Sequence, residues 1–204
     1  MDKPAGVILA GGRSSRMGVS RKALLELNGQ SLLRHVIDRL AGHLDPLLLS
    51  CESDTSDFDS YGLAIVPDLL PDYRGPLMGL YSTLQYLNDK SHNNGLVLCP
   101  CDAPFLPHNL VQVLLDANQS DHKPVIAISY QGVLQPTFSL WQNHHLPVIR
   151  EAVIGQGRGG LKHILTSIPH KIVEWKTAEP SPFFNINTPR ELESAAQWLD
   201  RKHT

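Results

Sequence analysis

Short apolar runs recur along this chain, bounded by glycine, proline or small polar residues, and stretches of helical spacing lie between them. The runs Gly6–Ala10, Pro46–Ser50, Leu63–Val66, Gly95–Cys99, Val125–Ser129, Val133–Ser139, Lys171–Trp175 and Phe183–Ile186 predict strands. Between them, Leu32, Leu33, Val36, Ile37 and Leu40 share one helical face that Gly42 closes. Leu77, Leu80, Leu84 and Leu87 form a second stripe behind Gly75-Pro76, and Leu110, Val111, Leu114 and Leu115 a third behind Pro107. A helical region from Asn143 to Ile154 and a short helix beyond Gly160 follow. The last helix opens on Thr188-Pro189-Arg190-Glu191, a capping box with proline in its first turn. Ala23–Leu27 is a short apolar piece turned by Asn28-Gly29. The alternation predicts an α/β fold with a mostly parallel, twisted sheet and helices on both faces.

With 204 residues the chain builds one core and is read as a single domain over 1–204. Its 42% hydrophobic and 19% charged content is that of a soluble globular protein. No apolar run approaches the roughly 20 residues a membrane helix needs, and the N-terminus lacks a signal-peptide layout, so a cytoplasmic protein is expected. Three cysteines do not make a disulfide framework. A net charge of −2 offers nucleic acid no general attraction.

Local charge changes the picture. The first strand runs into Leu9-Ala10-Gly11-Gly12-Arg13-Ser14-Ser15-Arg16-Met17-Gly18, closed by Arg21 and Lys22. Bare backbone N–H groups and four cations after a strand suit a triphosphate, because a Cβ would hold the phosphates off. The spacing is neither that of a P-loop nor that of a dinucleotide fingerprint. In open α/β sheets ligands sit beyond the carboxyl ends of the strands. Two acids fall there: Asp68, after the third strand, and Asp102, in Cys101-Asp102-Ala103-Pro104 after the fourth. Asp102 faces the triphosphate loop and is the candidate Mg²⁺ ligand, with a helix-capping role as its alternative; for Asp68 a turn is nearly as good a reading.

Cys99 and Cys101 share a strand face without further ligands nearby, and are read as packing. His144-His145 reads as helix surface. Gly155–Gly160 matches G-x-G-x-x-G, with Glu174 beyond it, but a helix rather than a strand precedes it. A loop presenting Arg158 to an anionic substrate is the favoured reading there. Asn185 and Asn187 flank Ile186 and could face one side of an extended segment, either to bind a ligand or to organise the following turn.

These segments together resemble the molybdenum cofactor guanylyltransferase family over almost the whole chain. The matching residues are Leu9–Gly18 with Lys22, Leu24–Gly29, Asp68, Tyr73–Gly79, Cys99–Pro104 and Asn185-Ile186-Asn187-Thr188-Pro189. Pyrimidine-using relatives look more like L-A-A-G at the first corner, so Gly11-Gly12 leans toward guanine. The resemblance implies a nucleotide-diphospho-sugar-transferase-like, Rossmann-like three-layer fold, with a nucleotide-binding half over about 1–105 and an acceptor-binding half over about 106–204. It implies transfer of GMP from GTP to molybdopterin or its molybdenum-loaded form, with Mg²⁺ as cofactor and pyrophosphate released. Molybdenum-insertion proteins and apo-molybdoenzymes are the partners it suggests, with neither nucleic acid nor membrane.

Carried over residue by residue, the resemblance gives GTP contacts to Leu9, Ala10, Gly11, Gly12, Lys22, Ser50, Asp68 and Asp102. It gives a phosphate contact to Lys22, metal binding to Asp102, and the pterin side to Gly75, Gly79, Arg158, Asn185 and Asn187. The chemistry of the residues themselves makes Arg16, Lys22 and Asp102 the catalytic candidates, offsetting the charge of the leaving pyrophosphate. Two positions depart from the family pattern: Arg21 stands where an Asp usually precedes the loop lysine, and Ser50 where an Asn often lies near the base. A molybdopterin cytidylyltransferase, another small nucleotidyltransferase, and an inactive nucleotide-binding protein that delivers cofactor stay open as alternatives. An NAD-dependent oxidoreductase built on Gly155–Gly160 is the weakest of them.

Overall fold

The computed structural model describes residues 3–11, 21–51, 56–71, 75–119, 123–176 and 180–202. In chain order its elements are β1 (Ala5–Leu9), β2 (Glu26–Leu27), β3 (Gln30–Ser31), α1 (Leu32–Leu40), β4 (Leu47–Cys51), β5 (Ala64–Pro67), α2 (Pro76–Asp89) and β6 (Leu96–Pro100). There follow α3 (Leu110–Ala117), β7 (Val125–Tyr130), β8 (Val133–Trp141), α4 (Leu146–Arg150), α5 (Leu161–Ser167), β9 (His170–Trp175) and α6 (Pro189–Lys202).

One sheet of seven strands has the order β5-β4-β1-β6-β8-β7-β9. The pairs β4–β5, β1–β4, β1–β6 and β7–β9 are parallel, and β8 runs antiparallel to both its neighbours. The fold is therefore the expected mostly parallel α/β sheet, interrupted once.

Period-two alternation sorts the core into two layers. Ile8, Leu49, Val97 and Cys99 point to the face covered by α1 and α3. Val7, Leu48, Leu96 and Leu98 point to the opposite face, under α2, α4 and α5. Helix α1 forms where its five apolar residues make one stripe, all buried, and where Ser31 Oγ accepts from Arg34 N–H at 3.1 Å as its N-cap. A third, smaller cluster joins α6 to the β2–β3 hairpin and the chain beyond Asp102, through Leu27, Leu32, Phe105, Ile186 and Ala195. Asn28 and Gly29, at φ 49° and 78°, make the hairpin turn that Asn-Gly favours.

Four expectations are corrected. Phe183–Ile186 forms no strand: Phe183 is pulled into an aromatic cage of Tyr130, Phe138 and Trp175, while Ile186 belongs to the third cluster. Pro107 does not open its helix, which starts at Leu110 after a turn closed by Leu110 N–H onto the Pro107 carbonyl. The region 143–154 is three short pieces: a 3₁₀ turn Asn143–His145, α4, and a π-helical turn Glu151–Gly155.

His145, fourth, is not surface. It is 5% exposed, and its Nδ1 accepts the Gln142 backbone N–H at 3.1 Å, which caps that turn. Burial, with His144 beside it, pushes its pKa down to about 4, and the bond to Nδ1 requires the neutral ring. Because the folded-state value is depressed, its contribution is present above the ordinary 6.5 and is lost as pH falls toward 4. Thermal melts between pH 7.5 and 4.5 should show up to about 3 kcal/mol more acid destabilisation in the wild type than in His145→Asn, which offers an acceptor without titrating.

Candidate active site

The carboxyl ends of β1, β4, β5 and β6 lie along one edge of the sheet, because these four strands are parallel. Leu9, Ala10 and Gly11 leave β1 there. The Leu9 carbonyl accepts from Cys101 N–H at 3.1 Å, and Ala10 N–H donates to the Ser50 carbonyl at 2.8 Å, so the start of the glycine loop is tied to both neighbouring strands. Gly12 and Arg16, assigned above to GTP and to catalysis, lie outside the described residues. Asp68 N–H donates to the Cys51 carbonyl at 3.3 Å, which brings Asp68 beside the end of β4.

Ser50 is buried at the end of β4 on the α2 side, directly above Gly79. A Cβ on Gly79 would stand 2.6 Å from Leu9 Cδ2 and 2.7 Å from Ser50 Oγ, so this glycine lets α2 lie close under the two strand ends. The geometry therefore ties Gly79 to the β1 and β4 ends.

Lys22 opens a 3₁₀ turn, Lys22–Leu24, whose Ala23 is buried in the core. Its Nζ donates to Asp102 Oδ2 and, at 2.7 Å, to Asn187 Oδ1. Ile186 N–H donates to the Asp102 main-chain carbonyl at 2.9 Å. Three segments far apart in sequence meet here: the exit of the glycine loop, the end of β6, and the Asn185–Asn187 link.

Glu191, read above only as part of a cap, takes part as well. Its backbone N–H donates to Thr188 Oγ1 at 3.3 Å in the usual way, but its carboxylate accepts from Asn187 N–H at 2.7 Å, one residue before the cap. Asn187 Nδ2 donates to the Asn185 carbonyl at 3.1 Å. Backbone and side chain of Asn187 are thus both held. The capping-box spacing revealed the helix start; nothing in it showed that Glu191 reaches the site.

The electrostatics of this junction are unbalanced. Burial pushes the Asp102 carboxyl above the usual carboxylate range, with Lys22 pulling the other way and the Glu191 charge adding to the rise. Asp102 Oδ1 and Asn185 Oδ1 are buried, and among the described residues neither accepts a hydrogen bond. Orphaned buried oxygens are costly and call for a donor or a cation. Among the described residues no cluster of three His, Cys, Asp or Glu side chains could hold a metal. One carboxylate oxygen with amide oxygens nearby is a hard, incomplete donor set, the kind Mg²⁺ completes with substrate phosphates.

Cys99 and Cys101 are buried in the core; burial raises both thiols, that of Cys99 to about 12, which fits packing. Glu174 belongs to the sheet: its carboxylate accepts from Ser129 Oγ and, at 3.2 Å, from Gly132 N–H. The dinucleotide reading of Gly155–Gly160 fails with it, since no strand leads into the glycines.

That segment instead abuts α2. Gly159 carbonyl accepts Leu77 N–H at 3.0 Å in the first turn of the helix, and Arg158 N–H donates to the Ala152 carbonyl at 2.9 Å. Half-buried Arg158 directs Nε to Gln156 Oε1 at 2.7 Å. Gly75, at φ 65°, would place a Cβ 2.8 Å from the Gly159 carbonyl oxygen, which is backbone and cannot turn aside. Gly75→Ala should cost about 1–3 kcal/mol in denaturant unfolding and release the 155–160 segment to proteolysis.

The chain as a whole is similar to known proteins. Residues 6–172 match the model of the MobA-like NTP transferase domain. A molybdenum cofactor guanylyltransferase of Rhodopseudomonas palustris is 33% identical over 193 residues, covering 94% of this chain and 90% of that protein. One from Vibrio cholerae is 34% identical over 187 residues, covering 91% and 88%. In fold, the chain is similar to the crystal structure of molybdopterin-guanine dinucleotide biosynthesis protein A from Archaeoglobus fulgidus, with a TM-score of 0.79 at 19% identity over 97% of this chain and 99% of that one. It is also similar to a CMP:2-keto-3-deoxy-manno-octonic acid synthetase complexed with CTP, with a TM-score of 0.73 at 14% identity over 98% and 100%.

Proposed function

The chain belongs to the MobA-like NTP transferase family, and on that footing we propose that it is a molybdenum cofactor guanylyltransferase. It transfers GMP from GTP to the phosphate of molybdopterin, or of molybdenum-loaded molybdopterin, and releases pyrophosphate. The observation that carries the reading is the junction of Lys22, Asp102 and Asn187, which brings a phosphate loop, a strand-end acid and the N-x-N-T-P segment into direct contact.

The nucleotide lies on the N-terminal half, over the ends of β1, β4 and β5, with the base near Leu9, Ala10, Ser50 and Asp68. The acceptor lies toward Arg158, Gly75, Asn185 and Asn187. Lys22 exchanges its bond to Asp102 for the nucleotide phosphates, and Arg16, in the same sequence motif, adds positive charge. An acceptor phosphate oxygen attacks the α-phosphorus in line; the new O–P bond forms as the bond to the β-phosphate oxygen breaks, and pyrophosphate leaves with its charge offset by Lys22 and Arg16. A phosphate nucleophile is already ionised at neutral pH, so no general base is required.

Mg²⁺ fits this site. Asp102 would hold it through the oxygen that lacks a donor, and the ion would neutralise charge on the phosphates. The test is pyrophosphate release with GTP, CTP and ATP, each with and without molybdopterin. Release with GTP only when molybdopterin is present supports the assignment. A preference for CTP would make the chain a cytidylyltransferase, and binding without release would leave it a carrier.

A further inference from the structure

Arg21 takes no part in the chemistry just described, yet it is one of the two positions noted above as departing from the resembled family pattern, and it immediately precedes Lys22. It is well held. Its Nε pairs with Asp57 Oδ2 at 2.5 Å, and its guanidinium lies over the Phe58 ring, 5.2 Å from the centroid. Phe58 is buried in the core. Asp57 and Phe58 belong to the 3₁₀ helix Ser56–Tyr61, which is itself anchored to α1. Tyr61 OH and Ser31 Oγ, the N-cap of α1, are 2.6 Å apart, and Arg34 lies 5.1 Å over the Tyr61 ring. The support under Arg21 is therefore tied to regular structure.

The backbone transmits that support to Lys22. Arg21 is extended, and its carbonyl accepts Leu24 N–H at 3.2 Å to open the turn on which Lys22 stands. Buried Ala23 holds the far side of the same turn. We propose that Arg21 is a positioning residue: clamped between Asp57 and Phe58, it fixes the turn that aims the Lys22 ammonium at Asp102, Asn187 and the phosphates. Its guanidinium is engaged by Asp57 and Phe58.

The catalytic part of this inference rests on the proposed guanylyl transfer, and its structural part does not. Two variants loosen the brace without touching the site, Asp57→Asn and Arg21→Lys; the second keeps the charge but loses the planar stack. Asp116→Asn, in the exposed Gln112–Asp116 pair on α3, is the control. The first measurement needs no substrate: the rate at which an amine-acylating reagent labels Lys22 in the full chain, read by mass spectrometry. An ammonium held by two acceptors labels slowly, so labelling should rise severalfold in both brace variants and stay unchanged in the control.

The second measurement is steady-state kinetics with GTP. Asp57 is 49% exposed, which limits the pair to a modest effect, so kcat should fall about fivefold with KM for GTP within about twofold. Wild-type labelling of Lys22 in both brace variants would overturn the proposal. So would tighter GTP binding in Asp57→Asn, which would mean that the released guanidinium is a phosphate ligand. A wild type that turned over no GTP would sink the guanylyltransferase reading, while the labelling comparison would still decide the brace.

Discussion

Lys22→Ala is expected to slow pyrophosphate release at least about a hundredfold, measured as kcat/KM for GTP at saturating Mg²⁺ and acceptor. Lys22 is the one residue of the described site that contacts both the strand-end acid and the N-x-N-T-P segment, through Asp102 Oδ2 and Asn187 Oδ1. Removing it deletes the cation proposed to meet the departing phosphates and loosens Asn187 at the same time. It also strips a buried carboxylate of its counter-ion, which is destabilising. The stability effect has a sign. Burial already raises the Asp102 carboxyl, and without Lys22 it rises further. A raised folded-state value contributes stability below the ordinary carboxylate range and loses it as pH climbs through the raised value. Melts of Lys22→Ala should therefore fall furthest below wild type near neutrality and converge with it as pH drops.

Asp102→Ala is expected to cost a similar factor, roughly two orders of magnitude or more in kcat, because it removes the oxygen that would hold Mg²⁺ against the phosphates. The metal dependence separates this from a packing defect. In the wild type, release should climb and saturate as Mg²⁺ is added; in the variant it should stay low at any Mg²⁺ concentration. Asp102→Asn keeps the shape of the side chain and an acceptor for Lys22, and should be equally slow if the negative charge is what matters. Full activity of either variant at ordinary Mg²⁺ would remove the metal assignment. Because burial raises the carboxyl, metal binding should be lost on acidification at a higher pH than an exposed aspartate would show.

Much of the candidate site was legible from local chemistry. Lys22, Asp102 and Asn187 were identified because each sits in a short motif whose residue types announce a purpose: small residues and cations after a strand, an acid ending an apolar run, asparagines before a capped helix. Misreadings fell where a distant contact overrules a local pattern. Phe183–Ile186 has the composition of a strand, but its two anchors pack into different clusters and, among the described residues, it pairs with no strand. His145 follows His144 in a polar stretch, yet tertiary packing buries it and makes it an acceptor. Glu191 and Asp57 were silent, because an acid that caps a helix and one that braces a neighbouring turn look alike in one dimension.

The alternation of apolar and polar residues, the glycine and proline punctuation and the capping box are governed by neighbours within a few positions. They sufficed for an α/β sheet with its helices and for the loops that carry the chemistry. Strand order, the antiparallel insertion of β8 and the meeting of residues 22, 102 and 187 depend on contacts between segments separated by up to 165 positions. Those are selected by burial and hydrogen bonding of the whole chain at once, which no local pattern encodes. For that reason the motifs named the participants, and the fold decided which of them touch.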